Sequence, residues 1–231
     1  MENKTGTLYV VGTPIGNLGD ISPRTIDILR HVDFVVCEDT RVTGSLLRRF
    51  EISKEMFVSE DSREKAVAPV ILERLKSGLD AAVVSDAGTP CISDPGFRIV
   101  RACRLEGVPV VPIPGACAFV AALSASGLPS DSFLFAGFLQ PKSSVRKNFF
   151  KSHADFPHTI IFYESPYRIE KFIDDALEIL GPDRIVCVAK EISKIHESFF
   201  VGSLKDVKHS LGLSSIKGEF VVLVAPADFK L

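Results

Sequence analysis

The sequence lacks an excess of positive charge and any long apolar run. Its 231 residues carry a formal net charge of −2, so nucleic-acid binding would have to come from a local basic patch rather than an overall field. The apolar runs are short and interrupted by charged residues or proline, which argues against a membrane span. The N-terminal residues lead directly into a predicted strand and lack the apolar core of a signal peptide.

Cysteine and histidine also occur without the spacings that mark disulfide frameworks or metal sites. The five cysteines are widely scattered and include no Cys-x-x-Cys pair. Most lie in apolar contexts, which is typical of buried free thiols in a reducing cytosol. The five histidines show no metal-ligand spacing, so we expect no metal site.

What the sequence does contain is a glycine-rich loop after a buried strand, at residues 85–96. Gly88 and Gly96 allow backbone angles that a Cβ would forbid, whereas Pro90 and Pro95 fix φ. A rigid polar loop at the carboxyl end of a parallel strand is where open α/β sheets bind small ligands. The alternative is an ordinary turn between a strand and a helix.

The same pattern recurs along the chain and predicts the fold class. Six predicted strands end in polar or glycine-rich loops, at Gly12, Glu38, Asp86, Pro114, Glu164 and Lys190. Alternating strands and helices predict βαβ units on a parallel sheet. We therefore predict two α/β domains that face each other across a cleft. Residues 1–128 would form a mostly parallel sheet and residues 129–231 a mixed one, with the junction near 127–131.

The loops exclude several chemistries. The spacing of Gly12, Gly16 and Gly19 does not fit the dinucleotide fingerprint, and no P-loop closes the turn. Neither a Ser-His-Asp nor a Cys-His nucleophile signature is present. Such a site is suited to holding a small cofactor by backbone atoms for a reaction that depends on positioning. Methyl transfer from S-adenosylmethionine fits that description.

Two groups of polar residues point to a phosphate-bearing substrate. The run 38–41 contains Asp39 and Arg41 at a strand end, although these two residues could simply pair with each other at a capped helix start. The second group is basic, and its alternative interpretation is a solvated helix face. Its members are Arg48 and Arg49 in the first half and Lys142, Arg146, Lys147 and Lys151 in the second.

Five segments together carry a family resemblance: Thr13–Ile21, Glu38–Arg41, Ser85–Gly96, Phe162–Ser165 and Lys217–Glu219. They closely resemble the ribosomal RNA small subunit methyltransferase I family of tetrapyrrole methylase-like (class III) S-adenosylmethionine enzymes, and the resemblance covers nearly the whole chain. It implies 2′-O-methylation of a cytidine in small-subunit ribosomal RNA, free or in an assembled subunit. It also implies the tetrapyrrole methylase fold, a cofactor in the cleft between two domains, and a cytoplasmic homodimer.

The resemblance also implies which residues bind the cofactor. They are Pro14, Asp86, Gly88, Thr89, Ile92, Ser93, Gly115, Ala116, Tyr163, Ala189, Lys190 and Gly218. Two positions depart from the family pattern. Lys190 stands where the family usually has arginine, which keeps the charge and loses the planar guanidinium. Ala116 stands where the family usually has proline, which restores a backbone N–H.

Transfer to a ribose 2′-hydroxyl requires a group that takes the proton. Asp39, Asp86 and Glu164 are the candidates, and the sequence favours Asp39, with Arg41 holding a nearby phosphate. Lys142 or Lys190 could polarise the site. Two other functions stay open: a tetrapyrrole or other small-molecule methylase of the same fold, and a non-catalytic RNA-binding factor in ribosome assembly.

Overall fold

The computed structural model describes residues 5–60 and 62–231. The chain folds as two compact units, Met1–Cys117 and Ala118–Leu231. Each unit is built around a five-stranded sheet covered by helices. The predicted class is confirmed, because the first sheet is parallel and the second is mixed.

The first unit contains a parallel sheet in the order β3-β2-β4-β1-β5. Its strands are β1 (Leu8–Val11), β2 (Phe34–Cys37), β3 (Glu55–Val58), β4 (Ala81–Val83) and β5 (Val110–Ile113). Its helices are α1 (Pro23–His31), α2 (Thr40–Arg49), α3 (Glu64–Lys76) and α4 (Phe97–Leu105), with a short 3₁₀ helix at Leu18–Asp20.

The central strands of this sheet are buried on both faces, as expected for a parallel sheet between two helical layers. Every residue of β2 and β4 is buried. Phe34 and Ile71 belong to the apolar core on one face, and Val35 and Leu47 belong to the core on the other. Because all five strands run in the same direction, the loops that follow them lie along one edge of the sheet.

The second unit contains a sheet in the order β6-β7-β10-β8-β9. Its strands are β6 (Phe133–Phe138), β7 (Thr159–Glu164), β8 (Ile185–Lys190), β9 (Ser198–Ser203) and β10 (Phe220–Val224). Its helices are α5 (Ala118–Ala125), α6 (Ser143–Ser152), α7 (Ile169–Leu180) and α8 (Leu204–Gly212). Strand β6 is parallel to β7, and the other pairs are antiparallel.

Strand β10 runs antiparallel to its neighbours β7 and β8, so its first residue lies beside their last residues. Phe220, the first residue of β10, pairs with both Glu164 and Lys190, the last residues of the two flanking strands. The loop that enters β10, which contains Gly218, therefore lies at the same sheet edge as Glu164 and Lys190. Within the described part of the chain, no helix combines the length and apolarity needed to cross a bilayer.

Candidate functional site

Three glycine turns of the first unit meet after β1, β4 and β5. The backbones of Gly12 and Gly115 are so close that a Cβ on Gly12 would lie 2.7 Å from the Gly115 Cα. Real Cβ atoms do not approach that closely, so both positions require glycine. The close approach leaves a backbone-lined surface after strands β1 and β5.

Thr13 joins the first of these turns to the loop after β4. Its main-chain N–H donates to the Gly88 carbonyl at 2.8 Å, and the Gly88 N–H donates back at 3.2 Å. Its buried hydroxyl lies 3.2 Å from the Ser85 carbonyl oxygen. The Thr89 hydroxyl then donates to the Ala116 carbonyl at 3.1 Å. These bonds bring the predicted cofactor residues Gly88, Thr89, Gly115 and Ala116 together, with Pro14 directly after Thr13.

Thr13 was not among the residues that the sequence singled out for a role. The signals for it are its position next to Gly12 after a buried strand and its place at the start of the segment Thr13–Ile21. Ile92 and Ser93, which were singled out, are exposed on the same loop, and Ser93 adopts a φ of 63°.

A cleft of about 1070 Å³ opens beside these turns in the first unit. It brings together residues that the sequence assigned to three different roles: Pro14, Asp39, Arg41, Arg48, Arg49 and Asp86. The arginines are solvent-exposed and the two aspartates lie at the strand ends. The cleft can therefore receive a ligand that carries negative charge and contact it with a carboxylate.

Asp39 is held by its neighbour Arg41. Its carboxylate caps α2 by accepting the Arg41 main-chain N–H at 2.8 Å, and it accepts from the Arg41 guanidinium at 2.5 to 3.0 Å. These hydrogen bonds lower the pKa of Asp39 to about 2. The structure thus shows the local pair that the sequence left open as the alternative to a proton acceptor. The Arg41 side chain stays 88 % exposed, so its outer face is accessible.

Asp86 lies next to this pair, and its environment shifts its pKa in the opposite direction. It accepts the main-chain N–H of Asp39 at 3.2 Å. Partial burial is the main cause that raises the pKa of Asp86, and the negative charge of Asp39 adds to it. The hydrogen bond from Asp39 and the charge of Arg41 oppose this shift without cancelling it. A carboxylate with greater proton affinity is the stronger base, which makes Asp86 the better proton acceptor of the two.

In the second unit, Glu164 is buried at the end of β7. Its side chain has no exposed surface, and Oε2 accepts the Ser165 N–H at 2.8 Å and lies 3.0 Å from the Arg168 Nε. Oε1 has no hydrogen-bond partner among the described residues. Burial raises the pKa of Glu164, and Arg168 opposes that shift. In this arrangement Oε2 of Glu164 holds Arg168, and a catalytic role of Glu164 stays a prediction.

The other predicted cofactor residues of the second unit lie at the same sheet edge. The Tyr163 hydroxyl accepts the Phe119 N–H at 3.3 Å. Ala189 is fully buried, and the Lys190 ammonium donates to the Ser215 carbonyl. Gly218 has a φ of 113°, and a Cβ there would lie 2.5 Å from the Glu191 side chain. Lys190 is thus engaged in holding the 215–219 segment.

The basic residues predicted to share one face of α6 differ in their exposure to solvent. Arg146 is 2 % exposed, and its guanidinium lies 2.6 Å from Asp175 and donates to the Pro141 carbonyl. The prediction that Arg146 lies on a solvent-facing helix surface is therefore wrong, because α7 supplies a buried carboxylate for it. Lys147 pairs with Glu178 at 2.6 Å.

The remaining predicted phosphate contacts are exposed: Lys142, Lys151, Arg48 and Arg49. Among the described residues, histidine, cysteine and carboxylate side chains form no group suited to holding a metal ion.

The chain is similar in sequence to a known family of methylases. Residues 7–208 match the family described as Tetrapyrrole (Corrin/Porphyrin) Methylases. A ribosomal RNA small subunit methyltransferase I from Vibrio cholerae is 53 % identical over 86 % of this chain and 69 % of its own length. The enzyme of that name from Haemophilus influenzae is 44 % identical over 97 % of this chain and 80 % of its own length.

A solved structure shares the fold at low sequence identity. It is the uroporphyrin-III C-methyltransferase of Thermus thermophilus, complexed with S-adenosylhomocysteine. The two chains superpose with a TM-score of 0.65 at 17 % identity, over 96 % of this chain and 98 % of the other. The similarity extends across both units of the present chain.

Proposed function

Because the chain belongs to the ribosomal RNA small subunit methyltransferase I family of tetrapyrrole methylases, we propose that it methylates the ribose 2′-hydroxyl of a cytidine in small-subunit ribosomal RNA, with S-adenosylmethionine as donor. One observation supports this most strongly. In a single cleft, Asp86, whose pKa is raised, lies beside three exposed arginines, Arg41, Arg48 and Arg49.

The glycine turns of the first unit suit a cofactor that is held by main-chain atoms. Side chains at Gly12 and Gly115 would fill the space where their backbones meet, and Gly88 adopts a positive φ of 88°. Pro14, Gly88, Thr89, Gly115 and Ala116 would hold S-adenosylmethionine, which supplies an activated methyl group when bound. The other cofactor contacts stay predictions: Asp86, Ile92, Ser93, Tyr163, Ala189, Lys190 and Gly218.

The residues of the cleft accept the proton and bind the phosphates of the RNA. Asp86 accepts the proton of the 2′-hydroxyl, because its raised pKa makes it a stronger base than Asp39. The outer face of the Arg41 guanidinium binds an adjacent phosphate, and Asp39 holds that guanidinium in place. Arg48 and Arg49 extend the phosphate-binding surface along α2. The local basic surface reconciles an RNA substrate with a net charge of −2.

A methyl-transfer assay with three alternative substrates tests the proposed function. Purified protein with methyl-labelled S-adenosylmethionine is offered small ribosomal subunits, deproteinised small-subunit RNA and a porphyrinoid in parallel. We expect label in the RNA of one or both ribosomal samples and none in the porphyrinoid. Label in the porphyrinoid alone would indicate a tetrapyrrole methylase instead. RNA binding without methyl transfer or cofactor binding would indicate an assembly factor.

We further propose that two copies of the chain associate and act in the cytoplasm, as the family resemblance implies. Light scattering of the purified protein tests the association. A mass of twice 25.2 kDa supports the dimer, and a mass of one chain at assay concentration contradicts it.

A further inference from the structure

Helix α4 begins directly after the glycine-rich loop 88–96, and its N-cap residue has no side chain with which to cap it. The N-cap residue is Gly96, which adopts a φ of 124°. A serine, threonine or aspartate would be strained at that φ, so the residue types that usually cap helices are disfavoured there. The turn that the loop needs thus places at the N-cap of α4 a residue that cannot accept from the first N–H groups of the helix.

Glu64 supplies the missing acceptor from another helix. It is the first residue of α3 and is 4 % exposed. Its Oε1 accepts the main-chain N–H groups of Gly96 at 3.0 Å, Arg98 at 2.7 Å and Ile99 at 3.4 Å. A helix N-terminus attracts anions, and here the carboxylate of the chain itself occupies that place. A ligand phosphate is therefore excluded from the start of α4.

The loop that Glu64 holds is conformationally strained. Cys91 and Ser93 adopt φ angles of 70° and 63°, which side chains disfavour. The Cys91 N–H donates to the Pro95 carbonyl at 3.2 Å and closes the bend. A Cβ on Gly96 would lie 2.9 Å from the Cys91 Sγ, so the bend is also tightly packed. Strained loops of this kind persist only where surrounding contacts determine them.

Two of the contacts that hold this loop attach its two ends to other parts of the unit. At the first end, Thr13 pairs with Gly88 through two main-chain hydrogen bonds. At the second end, Glu64 binds Gly96 and the first turn of α4. The exposed residues Ile92 and Ser93 lie between these two attachments.

We propose that Glu64 is a positioning residue that preorganises the loop 88–96 for the cofactor. The inference rests on the proposed function, because it takes this loop to bind S-adenosylmethionine. Without the carboxylate, the second end of the loop is released and its order has to be regained on binding, which weakens affinity. Only the affinity for the cofactor should fall, since Glu64 does not line the cleft in which Asp86 and the arginines lie.

The experiment compares three variants with the wild type. Glu64→Ala removes the acceptor, Glu64→Gln keeps an oxygen acceptor without the charge, and Glu73→Gln changes an exposed glutamate on the same helix as a matched control. Calorimetry gives the Kd for S-adenosylmethionine, and steady-state kinetics gives separate KM values for cofactor and RNA. Amide hydrogen exchange without cofactor reports on Gly96, Arg98 and Ile99.

Glu64→Ala is expected to raise the cofactor Kd and KM roughly tenfold, with kcat at saturating cofactor and the KM for RNA near wild type. Glu64→Gln should raise the Kd about two- to fivefold, and Glu73→Gln should leave it unchanged. Exchange should accelerate at the three amides and not in the strands of the sheet. If Glu64→Ala does not fold, the Kd of Glu64→Gln tests the inference, and a value equal to that of the wild type contradicts it.

Two results would overturn the inference while the proposed function stands. One is a cofactor Kd in the Glu64 variants equal to that of a wild-type protein that binds S-adenosylmethionine. The other is a loss spread equally over kcat and both KM values, which marks general destabilisation. A wild-type protein that does not bind the cofactor would remove the proposed function and this inference together.

Discussion

The main-chain N–H of Asp39 donates to Oδ1 of Asp86 at 3.2 Å, so the residues that follow β2 and β4 meet at one corner of the cleft. Their carboxylates have opposite proton affinities. Hydrogen bonds from Arg41 lower the pKa of Asp39 to about 2, and burial raises the pKa of Asp86. Where the environment separates two titratable groups in this way, the two groups suit different roles. In the function proposed above, Asp39 stays charged and holds Arg41, and Asp86 takes the proton.

We expect Asp86→Asn to lower kcat by about 10² to 10⁴, because the variant keeps the shape of the side chain and loses its basicity. The resemblance also assigns Asp86 to the cofactor, so kcat is measured at saturating S-adenosylmethionine. Asp39→Asn is the matched variant at the neighbouring carboxylate, and it should mainly raise the KM for RNA by loosening Arg41. Single-turnover methyl transfer and calorimetry measure these effects. A larger kcat loss in Asp39→Asn would identify Asp39 as the base that the sequence alone favoured.

The pH dependence of kcat provides a second, independent test. A general base works only when it is unprotonated, so activity falls as the pH drops through its pKa. For Asp86 this acid limb lies above the ordinary carboxyl value of 3.8. If Asp39 were the base, the limb would lie near its pKa of about 2. The limb measured for the wild type should disappear in Asp86→Asn, and a limb unchanged in that variant would argue against Asp86.

Arg146 and Lys151 lie on the same helix and should respond differently to substitution. Arg146→Ala removes the closer of the two ion pairs of the buried Asp175 carboxylate and leaves only the 3.7 Å contact with Lys147. Breaking a buried ion pair in this way costs about 3 to 5 kcal/mol of unfolding free energy. Lys151→Ala should leave stability within about 0.5 kcal/mol and weaken RNA binding. Urea denaturation and RNA-binding titrations separate the two effects. A stable Arg146→Ala variant with weakened RNA binding would contradict the structural role of Arg146.

Gly12→Ala places a methyl group 2.7 Å from the Gly115 Cα. The two turns must then separate, which should destabilise the protein by about 1 to 3 kcal/mol and weaken cofactor binding. Gly212→Ala at the end of α8 is the control, since a Cβ there meets nothing within 4 Å. Denaturation midpoints and calorimetric Kd values check both variants. Cofactor binding by Gly12→Ala equal to that of the control would place the cofactor elsewhere.

The strand ends and their loops could be predicted from sequence because the physical signals are local. Apolar runs that pass into clusters of glycine, proline and aspartate indicate buried strands followed by rigid turns. Strands β3 and β9 were not predicted. Both are edge strands whose residues are largely half-buried, so they lack a continuous pattern of buried apolar residues.

Side-chain partners were less accessible to sequence reasoning because they depend on distant elements. Whether Arg146 faces solvent depends on Asp175 of α7, and the role of Glu64 depends on α4, more than thirty residues away. The first compact unit ends at Cys117, ahead of the glycine and proline cluster at 127–131, because α5 packs against the second sheet. These relationships arise from packing, which periodicity does not encode.

The most direct test of the proposed function is a nucleoside map of small-subunit ribosomal RNA after reaction with the purified protein and S-adenosylmethionine. Nuclease digestion and mass spectrometry locate the added methyl group. We predict one new methyl group on the ribose of a cytidine in the wild-type reaction, strongly reduced with Asp86→Asn. A methyl group on a base, or RNA unmodified under conditions where the protein binds the cofactor, would contradict the function proposed for this chain.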